Sequence, residues 1–415
     1  MSQKDGIFAG LKVIDCASFI AGPGAAAILS DFGAEVIKVE PPGIGDPMRY
    51  TYRVPPNPPA EQNYYWELPN RNKRGVALNL KSAGGADVLK RLIQSADVFV
   101  INFPPHVLKA LGLTYEEVSA VNPRIVYANL TGYGDHGPEA NKPGYDITAF
   151  WARTGLMDQG RAAGAPPALP VPGSGDLATA TTLYAAIATG LYRREKTGKG
   201  CHVSTSLIAA GAWSAGIWLQ AALAGATIPG LIDREHPNNA LVNPYASADN
   251  RWILLLLVQE DKEWQSLVKA LGRPELAQDP RFAEIKQRHA NAVALVQVLD
   301  EVFRTQPLEY WRAVLDQERI TFGVVQSLQE LAHDPQLLAN EILRPMQNGA
   351  ATPTLTVDSP LTVHEEQKAA PRPAPGLGQH TVEVLTELGY DAAAIEKLSA
   401  DGVIPATEKP VPVAA

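Results

Sequence analysis

Leu11-Lys12-Val13-Ile14-Asp15, then Gly22-Pro23-Gly24, then Ala25 to Phe32, then Glu35-Val36-Ile37-Lys38-Val39-Glu40: the reading of this stretch decides the fold. The first run is apolar and short, as a buried strand is. The Gly-rich segment reads as a turn and the Ala-rich segment after it as a helix. Gly33 stands where a left-handed residue closes a helix. The second apolar run is stopped by Pro41-Pro42-Gly43. Strand, turn, helix and strand in this order make a βαβ unit, which requires a parallel sheet.

The pattern recurs downstream. Gly75 to Leu80, Asp97 to Asn102 and Ile125 to Leu130 read as strands, separated by helical segments at Gly84 to Ser95, Pro105 to Leu111 and Thr114 to Val121. Residues 1–135 thus read as a doubly wound α/β domain, whose ligands belong at the carboxyl ends of the strands. Residues 158–175, rich in Gly, Pro and Ala, read as a loop. A long helix from Asp176 to Lys196 follows, then a further strand at Cys201 to Ser206 and an apolar helix from Leu207 to Ala226. Beyond Pro229 to Val242, a polar loop, residues 243–330 change character: one strand at Trp252 to Val258, then helices rich in charge. They read as a smaller α/β domain. Two short helices, Thr381 to Leu388 and Ala392 to Leu398, precede a loose end.

Composition narrows the functional classes. Of 415 residues, 46% are apolar and 19% charged, which suits a globular core and excludes wholesale disorder. A formal charge of −8 argues against a nucleic-acid partner but leaves room for a local basic pocket. Cys16 and Cys201 are too few for a disulfide scaffold or a cysteine zinc site, and the eight histidines show no metal-ligand spacing, so no metal is expected. No apolar run approaches a membrane span, and Met1-Ser2-Gln3-Lys4-Asp5 lacks a signal core. The expected location is the cytoplasm, with no membrane partner.

Four stretches carry candidate chemistry. Gly22-x-Gly24-x-x-Ala27, with Glu40 ending the next strand, approximates a dinucleotide fingerprint; Pro23 in the turn and Pro41-Pro42 after the acid spoil it. The alternative is a turn that needs small residues for packing. Asn70-Arg71-Asn72-Lys73-Arg74 is either a solvated loop or a phosphate-binding stretch. In Gly173-Ser174-Gly175-Asp176, the aspartate is an N-cap or a carboxylate nucleophile, with the helix dipole favouring its ionised form. Gly144-Tyr145-Asp146 and the aromatics Phe150-Trp151 either line a pocket or fill core. His136 and His202 are single histidines without a visible partner.

Taken as an ordered series, the chain resembles the class III CoA-transferases, the family of formyl-CoA transferase and carnitine CoA-transferase, whose fold also houses α-methylacyl-CoA racemase. The matching pieces are Ala21-Gly22-Pro23, Asp31-Phe32-Gly33-Ala34-Glu35 through Glu40, Asn72-Lys73-Arg74, Asn102-Phe103, Gly112-Leu113 and Asn122-Pro123-Arg124. They continue with Gly132-Tyr133-Gly134, Gly144-Tyr145-Asp146, Gly175-Asp176, Thr197-Gly198-Lys199-Gly200, Asp279-Pro280-Arg281-Phe282 and Leu377-Gly378-Gln379-His380-Thr381.

The resemblance implies a Rossmann-like large domain made from residues 1–225 and 331–415, with a small α/β domain at 226–330, in an interlocked homodimer. It implies CoA transfer from an acyl-CoA thioester to a carboxylic acid, with Asp176 as the catalytic residue and aspartyl-anhydride and aspartyl-CoA intermediates. Coenzyme A is then a substrate and no cofactor is held permanently. The carried-over CoA contacts are Ile20, Ala21, Lys73, Arg74, Asn102, Phe103 and Lys142, with Tyr145 and Gly175 in the substrate pocket. Ile20 stands in place of the glutamine of formyl-CoA transferase and Pro41 in place of its arginine, which points to a more apolar substrate. The segment from Tyr145 to Gly155 looks most like the branch acting on aryl or branched 2-hydroxy acids and benzylsuccinate. The racemase branch carries its histidine where Tyr145 stands, and tyrosine at its ordinary pKa near 10 is a poor base. The alternatives are a racemase or epimerase, an intramolecular transferase acting on a dicarboxylate, a nicotinamide-dependent oxidoreductase and a non-catalytic CoA-binding relative.

Overall fold

Side chains alternate across a strand, so a run that is apolar at every position needs cover on both faces. The strands here are of that kind. In the computed structural model, which describes residues 6–231, 233–348 and 354–406, Lys12–Asp15 (β1), Glu35–Glu40 (β2), Arg74–Ala77 (β3), Val98–Ile101 (β4), Val126–Thr131 (β5) and Cys201–Ser206 (β6) form one sheet. Its order is β3-β2-β1-β4-β5-β6 and every pairing is parallel. Met1–Asp5, read above for a signal core, and the end of the tail lie outside the described residues.

The alternation sorts into two cores. Ile14, Ile37, Val76, Phe99 and Ile101 pack on one face with Leu89 and Leu92 of helix Ala83–Gln94 and with Leu385 and Ile395 of the two C-terminal helices. Val13, Val36, Val98, Val100 and Ala128 pack on the other face with Leu29 of helix Ala21–Asp31 (α1) and with Leu183 and Ile187 of the long helix Ser174–Thr197. The chain order reverses between β1 and β4, which makes the crevice beyond their carboxyl ends the expected place for a ligand.

One local reading is corrected. Gly22-Pro23-Gly24 is not a turn but the first turn of α1, which starts at Ala21. Pro23 is tolerated because it is the third helical residue, where a missing N–H leaves no intrahelical bond unmade. The glycines are there for packing. A Cβ on Gly22 would lie 2.4 Å from the Ala17 Cβ, and one on Gly24 would lie 3.0 Å from the Ala180 Cβ of the long helix. Glu40 forms two hydrogen bonds with the Arg49 guanidinium, both 2.7 Å, and is not free for a ribose. The dinucleotide reading therefore loses both its loop and its acid.

The chain divides into two compact units. The first gathers the described residues of Met1–Met157, Leu169–Thr227 and Gln336–Ala415; the second is Asp158–Ala168 with Ile228–Pro335. In the second unit, Val242–Ala246 (β7), Trp252–Leu256 (β8) and Phe322–Val324 (β9) form an antiparallel sheet in that order. Ile253 and Leu255 face a core that holds Trp264, Leu299, Phe303 and Trp311. The sequence reading missed β7, where Asn243-Pro244 disguises the strand, and the short hairpin Leu343–Pro345 (β10) with Leu355–Val357 (β11) in the first unit. It also fused two helices: Leu207–Ser214 and Gly216–Leu223 are separate.

Candidate active site

The long helix begins immediately after Gly173, its N-cap, which is left-handed at φ 77°. Asp176 is the third helical residue. The capping role open to it on sequence grounds is thus taken by Gly173, and its carboxylate is left for other work. A helix dipole favours an anion in the first turn by about 0.3–1 kcal/mol, less than one pKa unit. Burial works the other way, and the negative charge of Asp146 adds to it. The Asp176 carboxyl is pushed up to about 7. The dipole still favours the ionised form, but desolvation outweighs it.

Asp146 opens the π-helical turn Asp146–Ala152 and is buried. Its carboxylate lies against the backbone N–H groups of Gly173, Gly175 and Asp176, yet neither oxygen makes a hydrogen bond of ordinary geometry. Burial raises its pKa and those N–H groups moderate the rise. Gly175 is required by this approach: a Cβ there would lie 2.2 Å from Asp146 Oδ1 and 2.5 Å from the Phe150 ring.

The segment between β1 and α1 forms another wall. Phe19 is left-handed at φ 67°, an uncommon state for a bulky residue. Several contacts hold it there. Asp46 Oδ1 accepts from the Phe19 N–H at 3.3 Å, and the Asn102 side chain accepts from the Ser18 N–H (2.9 Å) and donates to the Ser18 carbonyl (2.8 Å). The Phe19 ring meets Tyr145 edge-on, with centroids 5.5 Å apart. Tyr145 is itself exposed. Ile20 and Ala21 are buried, and Ile20 Cδ1 lies 3.0 Å from where a Cβ on Gly173 would be. Ile20 also packs with Met48 and Trp66, and Phe19 and Tyr65 lie against that cluster. The surroundings of Asp176 on this side are therefore apolar and aromatic.

The basic stretch departs from both of its sequence readings. Lys73 is neither solvated nor open to a phosphate. Its ammonium donates to Asp15 Oδ2 (2.8 Å), the Pro23 carbonyl (2.8 Å) and Asn70 Oδ1 (3.0 Å), with no side-chain exposure. Burial outweighs Asp15 and pulls its pKa down to about 8. Arg74 joins Glu35, Glu383 and Glu387, which tie β3 to β2 and to helix Thr381–Glu387. Asn102 is occupied with Ser18, and Phe103 is half-buried against the core. Lys142 is the one exposed cation of the expected CoA set; it pairs with Glu139 at 2.7 Å. Cys16 is buried, and burial raises its thiol pKa far out of the nucleophilic range. Among the described residues, no group of three or more His, Cys, Asp or Glu is placed to hold a metal.

CoA-transferase family III, as a sequence profile, matches residues 8–381. The chain belongs to that family. Two curated relatives agree over the full length. The (R)-2-hydroxy-4-methylpentanoate CoA-transferase of Clostridioides difficile is 34% identical over 95% of this chain and 98% of its own. The cinnamoyl-CoA:phenyllactate CoA-transferase of Clostridium sporogenes is 34% identical over 97% of this chain and 98% of its own. A crystal structure of a CAIB/BAIF family protein from Brucella suis matches with a TM-score of 0.82 at 29% identity, over 92% of this chain and 99% of that one.

The protein is thus a class III CoA-transferase, and its substrates include CoA thioesters. Among the described residues, no helix is long and apolar enough to cross a membrane. Two residues of this CoA-transferase's site escaped sequence reasoning. Asp146 was visible inside Gly144-Tyr145-Asp146, but its contact with the Gly173–Asp176 turn is a tertiary fact. Phe19 gave no signal, because nothing in its neighbours announces a left-handed backbone.

Proposed function

We propose that Asp176 carries CoA transfer from an acyl-CoA to a carboxylic acid. An Asp176 oxygen attacks the donor thioester carbonyl, the C–S bond breaks, and CoA leaves as the thiolate, giving a mixed aspartyl–acyl anhydride. The thiolate attacks the aspartyl carbonyl; the donor acid leaves as its carboxylate, and an aspartyl-CoA thioester remains. The acceptor carboxylate runs the same steps in reverse. The observation that carries this reading is Asp176 itself, a carboxylate in a first helical turn, largely withdrawn from water and raised to about 7. A dry site preserves the anhydride from hydrolysis.

The acid class we assign is aryl or branched 2-hydroxy acids. Phe19, Ile20, Tyr65 and Tyr145 support it by offering apolar and aromatic surface near Asp176. The two relatives, named as a branched 2-hydroxy acid transferase and a phenyllactate transferase, support it further. The test is a matrix of acyl-CoA donors and carboxylic acids, read by mass spectrometry of the product thioesters. Phenyllactate and 2-hydroxy-4-methylpentanoate are expected to exceed oxalate as acceptors by about tenfold or more, since a polar acid loses solvation in an apolar pocket. Equal or better turnover of oxalate sinks the assignment. Transfer between two molecules is expected; product formed from one dicarboxylyl-CoA alone would make the enzyme intramolecular.

The enzyme works, in this proposal, as an interlocked homodimer in the cytoplasm. On helices Leu207–Ser214 and Gly216–Leu223, Trp213 is 87% exposed, Ile217 84% and Leu223 74%, an apolar surface that calls for a partner. A cleft of about 1220 Å³ in the first unit, lined by Ala27, Leu68, Leu177, Thr181, Leu343 and Val357 among others, offers room for another chain. Trp213→Glu with Ile217→Glu is expected to raise the dimer dissociation constant by about 100-fold or more in sedimentation equilibrium. An unchanged dimer removes this face from the interface.

A further inference from the structure

We infer that Asp146 is a positioning residue of the transfer: a buried carboxylate with backbone N–H groups but no cation beside it, set against the first turn of the Asp176 helix, whose charge opposes the resting Asp176 anion and not the neutral, acylated Asp176. The inference rests on Asp176 as the nucleophile, and its test keeps the two apart.

The geometry carries the first half. A buried carboxylate ordinarily finds a cation or a full set of donors. The other buried carboxylates among the described residues of the first unit do so. Asp15 has Lys73, Asp31 has Arg71, Glu40 has Arg49 and Asp46 has Lys38. Asp146 has no such cation. Arg153, on the same stretch of chain, pairs with Glu139. Helix Tyr64–Asn70 brings only the Tyr65 phenol to bear on Asp146. Helix Leu207–Ser214, packed against the π-helical turn, has no titratable side chain. The long helix brings Asp176, a second carboxylate. Gly175 has given up its side chain so that Asp146 can press against this turn.

The chemistry carries the second half. When Asp176 forms its C–O bond to the acyl carbon and the C–S bond breaks, the electron pair departs on the CoA sulfur. The negative charge thereby leaves the place it shared with Asp146. Repulsion present in the free enzyme is absent from the anhydride and from the aspartyl thioester. A carboxylate made more basic in this way is also a better nucleophile once ionised. The upward direction at Asp176, from burial first and the Asp146 charge second, fits this picture.

The experiment is the pH profile of kcat/KM for wild type and Asp146→Asn, with hydroxylamine capture of the acyl-enzyme in each. Removing the charge is expected to move the acid limb toward lower pH by about one unit and to lower the alkaline plateau about three- to tenfold. A merely structural role lowers the rate at every pH without moving the midpoint, and that result overturns the inference. Absence of any capture at Asp176 in wild type overturns the nucleophile itself; capture at Asp176 in both proteins with one shared midpoint overturns only the role of Asp146. Should Asp146→Asn fail to fold, infrared titration of wild type against Asp176→Asn decides. A carboxyl titrating near neutrality in wild type, with the remaining Asp146 carboxyl ionising at lower pH once residue 176 is uncharged, upholds the pair. No carboxyl titrating above about pH 5 overturns it.

Discussion

Asp176→Ala is expected to lose CoA transfer by ~10⁴-fold or more while keeping the fold, because the site has no second group able to take over the covalent step. The Cys16 thiol is buried and held protonated. Asp146 is buried under the helix turn. Incubating wild type with an acyl-CoA and hydroxylamine should place a hydroxamate on Asp176, found by peptide mass spectrometry; the variant should give none. Full activity in the variant ends the aspartyl mechanism. The stability side of Asp176 has a definite sign. A carboxyl raised to about 7 in the folded state binds its proton more tightly than in the unfolded chain. Its contribution to stability is therefore fully present below about pH 3.8 and is lost as pH rises through about 7. Asp176→Asn escapes that loss. Denaturant midpoints should show the variant gaining on wild type from pH 5 to pH 8, the usual mark of a residue retained for chemistry at a cost in stability. The reverse trend would show that Asp176 is paired and stabilised in solution.

What sequence made legible here is whatever a short window contains. The alternation of Val13 with Ile14, and of Val98 and Val100 with Phe99 and Ile101, is a property of neighbours, and it separates the two cores correctly. Gly33 closing α1 is likewise local, and it is left-handed at φ 99°. The start of α1 was misread because Gly-Pro-Gly looks like a turn in any window. Its glycines answer to Ala17 and, across the sheet-facing helices, to Ala180, which lies far along the chain. The same limit applies at the site. Gly175-Asp176 is a readable pair, but what raises Asp176 is burial and a carboxylate thirty residues upstream. Composition near Lys73 announced a basic surface; the acid that captures it lies 58 residues away. Contacts of this length are made by the sheet order and not by any motif.

Lys73→Ala is the prediction that separates an architectural lysine from a ligand-binding one. Asp15 ends β1 with no exposure; its Oδ1 accepts the Ala17 N–H at 3.0 Å and its Oδ2 accepts Lys73 at 2.8 Å. Lys38, equally buried, donates to the Ala17 carbonyl and pairs with Asp46 at 3.1 Å. Two lysines and two aspartates thus balance in a space withdrawn from solvent. Deleting Lys73 leaves Asp15 short of a partner and strips the Pro23 carbonyl and Asn70 of their shared donor. Removing one member of a buried ion pair costs about 3–5 kcal/mol, a large share of the 5–15 kcal/mol that holds a typical domain folded. Urea or thermal unfolding should show that loss. Lys73→Met with Asp15→Asn should recover part of it, since an uncharged pair leaves no orphaned ion, and the shortfall from additivity measures the coupling. The effect on chemistry follows from position. Asp15, Ala17 and Pro23 bracket the segment that holds Phe19 left-handed and Ile20 against Gly173. Loosening its anchors should lower kcat through Asp176 while leaving the KM for acyl-CoA nearly unchanged. A stable Lys73→Ala enzyme with KM raised about tenfold would reverse the argument, because a lysine that binds phosphate from a surface is lost without harm to the fold.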